Sequence, residues 1–138
     1  MLEPQVIHAK GAAKANYDFR RVLFTGSHSQ LVLMALRPSE EIGTEVHSDV
    51  DQLLYVVAGE GVAVLGSIRQ ALPKGAVFCV PAGTIHNVIN TGDEPLKLFT
   101  VYSPPQHAPQ TVHRTKAEAD AAEKQEVLVS AQGREVSV

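Results

Sequence analysis

Tryptophan is absent from this chain of 138 residues, and cysteine occurs once, at Cys79. A single thiol cannot close an intrachain disulfide or supply a Cys-x-x-Cys pair, so disulfide scaffolds and thiolate zinc modules are excluded. No apolar stretch approaches the roughly 20 residues needed to span a bilayer. The opening MLEPQVIHAKG lacks the apolar run of a signal peptide. Excess charge is missing too: 12 basic and 15 acidic residues leave a net charge of -3, with a pI near 6.0. That balance gives no electrostatic footprint for nucleic acid or an acidic membrane. The expectation is a soluble cytoplasmic domain, long enough for one packed core. Its most abundant chemically versatile residue is histidine, present six times.

From Phe19 to Tyr102 the chain reads as short β-rich runs cut by Gly, Pro, Asn and Asp. The runs are Phe19 to Thr25, Gln30 to Arg37, Thr44 to His47, Gln52 to Ala58, Gly61 to Gly66, Ala76 to Pro81, His86 to Asn90 and Leu96 to Tyr102. Such spacing, without helical patterns between strands, predicts an antiparallel sandwich or barrel. After Tyr102 a Pro-rich loop follows, then Thr115-Lys116-Ala117-Glu118, which has the form of a capping box. A surface helix to about Gln125 is predicted, with Asp120 and Lys124 paired one turn apart. The expected division is a β-barrel domain over 1–113 (with an N-terminal hairpin and a C-terminal loop), a short helix over 114–126, and a tail or added edge strand over 127–138. Val127, Leu128 and Val129 are the candidates for edge pairing.

Two segments carry chemistry. Residues two apart on a strand share a face, so Glu45 and His47 are expected to point together, with Gln52 across a turn on the next strand. The Pro81-Ala82-Gly83 turn would re-aim the chain so that His86 enters from a third strand. The segment Gly75-AVFCV-Pro81-Ala-Gly83-TI-His86-NVI-Asn90 fits the pattern G(x)5PxG(x)2H(x)3N at every defined position. It thereby resembles the second motif of the cupin family. The segment Glu45-Val-His47-SDVD-Gln52-LLYVVA-Gly59 is similar to the first cupin motif, HxH(x)3-4E(x)6G, with two changes. Glu45 stands where the family usually has a histidine, and Gln52 where it has glutamate. The motifs cover Gly43 to Asn90, and the flanking strands extend the likeness to Leu31 to Pro104.

The resemblance implies an all-β double-stranded β-helix, or jelly-roll, barrel with one short C-terminal helix. It also implies one divalent transition metal (Mn, Fe, Co, Ni or Zn) held by Glu45, His47, Gln52 and His86. The usual three histidines and one glutamate carry one negative charge, and so does this set. The carboxylate is relocated, giving two histidines, one carboxylate and an amide oxygen, close to the ligand type of non-heme iron oxygenases. Glu45 is the candidate catalytic residue, a ligand first and a proton shuttle only if its second oxygen is free. The alternative for these residues is a metal-free cupin whose inward polar groups bond one another; Gln52 alone could instead orient a water or a histidine. Asp51, one residue out of register, should face outward.

His8 and His28 read as solvated, in a leader and a turn. His107 and His113 lie in a loop that either covers an edge or approaches the site. Cys79 reads as a small core residue, and Tyr55 and Tyr102 as packing or rim hydroxyls. Three function classes follow: a metal-dependent enzyme (oxygenase-like or isomerase-like) on a small molecule, a binding or sensing protein without turnover, and a regulatory module with a disused site. Some short cupins are named after mannose-6-phosphate isomerases, but this chain has no evident Arg/Lys cluster beside the site to hold a phosphate. Small cupins are commonly homodimers, and the expected partners are a second copy and a small-molecule ligand.

Overall fold

The computed structural model describes residues 3–131. After helix α1 (Ala9–Ala15) come strands β1 (Arg20–Thr25), β2 (Gln30–Leu36), β3 (Asp51–Ala58), β4 (Gly61–Leu65), β5 (Ile68–Leu72), β6 (Val77–Val80), β7 (Asn87–Asn90), β8 (Leu96–Ser103) and β9 (Val112–His113), then helix α2 (Lys116–Ala131). A six-stranded sheet in the order β6-β3-β8-β2-β1-β9 faces a three-stranded sheet β5-β4-β7. The named strand pairs are antiparallel, as the strand pattern predicts, and the two sheets make the jelly roll that the resemblance implies. No helix among the described residues is long and apolar enough to cross a membrane.

The strand register grades the barrel interior from apolar to polar. Val56, Leu98 and Met34 stand side by side on β3, β8 and β2, all buried. The next inward row is Leu54, Thr100 and Val32, and the row beyond it is Gln52, Tyr102 and Gln30. Period-two alternation places these rows on one face. The first row seals the barrel and the last lines its polar end.

Several segments depart from the sequence expectation. Residues 44–47 form no strand; Glu45 makes a single bridge to His86. Two unpredicted strands appear, β5 and β9, the latter at the end of the Pro-rich loop. It pairs Val112 and His113 with Arg21 and Arg20. Helix α1, an alanine-rich segment of good helix formers, lies on the outer face and buries Ala13 beside Leu33 and Val57. Cys79 is exposed rather than in the core, because Phe78 and Val80 occupy the inward positions of β6.

Helix α2 begins as the capping residues predict: Thr115 Oγ1 accepts from the Glu118 N–H (3.1 Å). The Glu118 carboxylate accepts from the Arg114 N–H (2.7 Å), one residue before the capping-box position. Asp120 pairs with Lys116 at 3.0 Å rather than with Lys124. The helix runs to Ala131, so Val127, Leu128 and Val129 are helical and not an edge strand. No glycine or proline interrupts the sequence between Lys116 and Gly133, so nothing stops the helix earlier. Residues 132–138 of the expected tail lie outside the described residues.

Candidate functional site

The two motif segments are joined through their backbones. The Glu45 N–H donates to the His86 carbonyl (2.9 Å), and the His86 N–H donates to that of Glu45 (3.0 Å). Two residues on, the Gly83 N–H donates to the His47 carbonyl at 2.8 Å. Gly83 has φ +81°, as the third residue of a tight turn closed by the Thr84 N–H on the Pro81 carbonyl. A side chain at that φ would be strained. Asn90, the last motif residue, acts structurally: its amide donates to the carbonyls of Leu36 and Glu94 and accepts from the Gly92 N–H. The first motif's Gly59 is also structural: its φ is +81°, and a Cβ there would meet the Pro95 carbonyl oxygen at 2.5 Å.

This frame brings Glu45, His47 and His86 together, with one ligand atom of each within 4.8 Å of the others. Glu45 Oε2 and His47 Nε2 are 3.8 Å apart, too far for a hydrogen bond. Burial pushes the Glu45 carboxyl up to about 7, against the opposing pull of Arg20; Glu123 adds to the rise and Lys116 reduces it. Burial, then His86 and Arg20, holds the His47 imidazole below its ordinary value. Both shifts favour neutral forms, so this pair is not a salt bridge at neutral pH. His47 Nε2 is buried without a hydrogen-bond partner.

Gln52 completes the group from β3 and is 2% exposed. Its amide orientation follows from its neighbours. The Thr100 hydroxyl donates to the Leu53 carbonyl (3.0 Å), so it must accept from Gln52 Nε2 (3.0 Å). Gln52 Oε1 therefore faces His86 Nε2 at 3.2 Å. His86 Nδ1 lies 2.8 Å from the Thr84 carbonyl and must carry the hydrogen there. In the neutral ring, Nε2 then presents a lone pair to another acceptor. A proton or a metal ion between them relieves that opposition, as would a half-turn of the amide that let the Thr100 hydroxyl donate to its oxygen.

The residues fit a transition metal. Atoms sharing one ion at about 2.0–2.2 Å stand roughly 3–4 Å apart, the range in which the 3.8 Å and 3.2 Å separations fall. Two imidazoles, a carboxyl and an amide oxygen would hold such an ion, which supplies Lewis acidity or redox chemistry when bound. A proton on Glu45 competes with it. Metal affinity should therefore weaken about tenfold per pH unit below pH 7 and level off above it. Calorimetric titration with Zn²⁺ between pH 6 and 8 measures this, and a flat profile would contradict the protonated Glu45.

Of the other expected positions, Asp51 faces out and its Oδ1 accepts from the Ala82 N–H (2.9 Å). His8 and His28 are exposed. Tyr55 stacks on Phe99 at 5.1 Å, on the outer face. Tyr102 is buried instead, edge-on to His47 (6.0 Å) and His107 (5.1 Å); burial first, then Glu45, raises its phenol. Sequence reasoning missed Arg20 and Thr100. Their phase with inward Val22 and Tyr102 on β1 and β8 was the available signal.

Comparison with known proteins agrees with this architecture. Residues 32–102 match the family model of the Cupin domain. The uncharacterized protein YrkC of Bacillus subtilis (strain 168) is 46% identical over 127 residues, covering 88% of this chain and 68% of that protein. The uncharacterized protein L612 of Acanthamoeba polyphaga mimivirus is 39% identical over 108 residues, covering 75% and 68%. The crystal structure of BH2720 from Bacillus halodurans superposes with a TM-score of 0.85 at 42% identity, covering 86% of this chain and 95% of that one. Matched along more than half its length, with both motifs meeting in one site at the polar end of a jelly roll, the chain belongs to the cupin family.

Proposed function

We propose that this cupin is a metal-dependent enzyme, of oxidoreductase or isomerase type, acting on a small molecule at the polar end of its barrel. One divalent transition metal would be held by Glu45, His47, His86 and Gln52. The observation that carries the reading is the opposition of His86 Nε2 and Gln52 Oε1 beside the unpartnered His47 Nε2. Two acceptor atoms face each other beside an unpartnered imidazole nitrogen and a carboxyl, an arrangement costly to bury unless a cation joins them.

The chain's own residues then have distinct tasks. His86 is aimed by the Thr84 carbonyl, and Gln52 by Thr100. Such outer hydrogen bonds fix ring tautomer and orientation. Glu45 holds a proton in the metal-free site, its carboxyl raised to about 7 by burial, and would release it on becoming a ligand. Tyr102 and Phe78 pack edge-on against His47 and His86, and keep water from the buried side of the group.

Elemental analysis of protein purified without added metal should find a transition metal near one per chain. Oxygen uptake with diketones, catechols and thiols then separates oxygenase chemistry from isomerisation. Absence of bound metal, together with no metal-dependent rise in melting temperature, would overturn the reading. Bound metal without turnover on any probe would make the protein a binder.

A further inference from the structure

One buried cation has no part in the metal reading. Arg20 is 2% exposed and points into the barrel from β1, paired in register with Met34. Its Nη1 donates to His113 Nδ1 at 3.2 Å, and since a guanidinium can only donate, that nitrogen of His113 is bare. The Arg20 Nε–H is buried without a partner. Among the described residues, no carboxylate forms an ion pair with it. A buried charge without a counter-ion is costly.

A second orphan stands on the segment that joins β8 to His113. His107 Nε2 is buried and unpartnered, and its ring stands edge-on to Tyr102, which in turn stands edge-on to His47. The ring is held in place through its backbone. Gln30 Nε2 donates to the His107 carbonyl (2.7 Å), and the His107 N–H donates to Gln30 Oε1 (3.0 Å). The Arg20 partner His113 ends the segment after β8 that carries His107, and the Arg20 charge acts on Glu45, His47, Tyr102 and His107 alike.

We propose that Arg20 and His107, with His113 orienting the guanidinium, form an anion subsite that takes the carboxylate of a small organic acid whose other end faces Glu45, His47 and His86. The Arg20 Nε–H supplies a charge-assisted donor. His107 supplies the second, in the tautomer with hydrogen on Nε2. One guanidinium and two imidazoles match a single negative charge, whereas a phosphate dianion calls for more cations, and Glu45 stands against it. The substrate class is thus a small carboxylic acid. This specification rests on the metal reading for the role of the acid's other end.

The test uses malonate as probe and neutral malonamide as control, with metal content measured on every sample. In the wild-type protein, malonate should shift the Arg20 Nε–H resonance in ¹H–¹⁵N spectra, and malonamide should not. By calorimetry, Arg20→Gln should bind malonate about tenfold to a hundredfold more weakly, the range of a hydrogen bond to a charged group. His86→Ala should lose metal yet keep the Arg20 resonance shift, so that failure of the metal reading and failure of the anion subsite are separately visible. An Arg20 resonance unmoved by saturating malonate, or equal affinity in Arg20→Gln, would overturn the proposal. Should Arg20→Gln not fold, the wild-type resonance decides alone.

Discussion

His86→Ala is expected to abolish the rise in melting temperature that a divalent transition metal confers, while Gln52→Ala leaves a weakened response. A metal present at 100 times its dissociation constant stabilises the native state by about 2.7 kcal/mol, or roughly 5–10 °C for a chain of this size. His86 supplies one of two nitrogen donors, and its ring is already aimed by the Thr84 carbonyl, so no neighbour can replace it. Gln52 contributes a neutral oxygen. Its loss should lower affinity by the about 10–100-fold typical of a group that orients a ligand. Thermal melts with and without Zn²⁺ or Mn²⁺ measure both variants. Equal loss in the two would show that the amide oxygen is a full ligand. An undiminished metal response in His86→Ala would remove the site from consideration.

The second large effect is loss of stability in acid, traced to His107. Burial above all, then Arg20, His47 and His113, pushes its imidazole down to about 3 from an ordinary 6.5. The folded-state value is depressed, so the stability linked to the neutral ring is complete above pH 6.5 and drains away as pH falls towards 3. Between pH 6.5 and 4 the loss is about 2–3 kcal/mol. Glu45 acts oppositely: its carboxyl is raised from 4.5 to about 7, so its contribution is complete below pH 4.5 and is lost as pH rises through 7. Comparing wild type with His107→Phe cancels that second contribution. Phenylalanine keeps a ring against Tyr102 but cannot titrate. Urea denaturation from pH 7 to pH 4 should show the wild type losing more stability than His107→Phe, and parallel curves would refute the assignment.

The sequence made the barrel and its ligand segments legible because both depend on local signals. Alternation marks strands, and the Pro81–Gly83 turn announces itself through residues with few other uses. Glu45, His47 and His86 could be named because their segments resemble the two cupin motifs, whose donor positions converge. Arg20 could not. It lies 25 residues before Glu45, on a strand whose partner β9 consists of two residues in a proline-rich loop, and only the register of Arg20 with His113 turns it to account. Cys79 was misplaced for a related reason. Alternation in β6 gives two faces but not their direction, and the larger Phe78 decides which one is buried. The extension of α2 to Ala131 was hidden because β-branched Val127 and Val129 suggested a strand, while the helix beginning at Lys116 was already propagating through them.

The backbone hydrogen bonds among Glu45, His86, His47 and Gly83 carry a consequence for chemistry. Spacing between the donor positions is set by peptide units and not by the side chains that emerge from them. The arrangement behaves as a socket with a fixed pitch, into which imidazole, carboxylate or amide can be fitted separately. A histidine at 45 with a glutamate at 52, a position held by the pairing of β3 with β6 and β8, should therefore assemble on the same backbone and preserve total charge. The present pairing of Glu45 with Gln52 puts the carboxyl on the arm where Glu123 and Lys116 of α2 act on it. Which arm of the site carries the carboxyl is thus adjustable without rebuilding the fold.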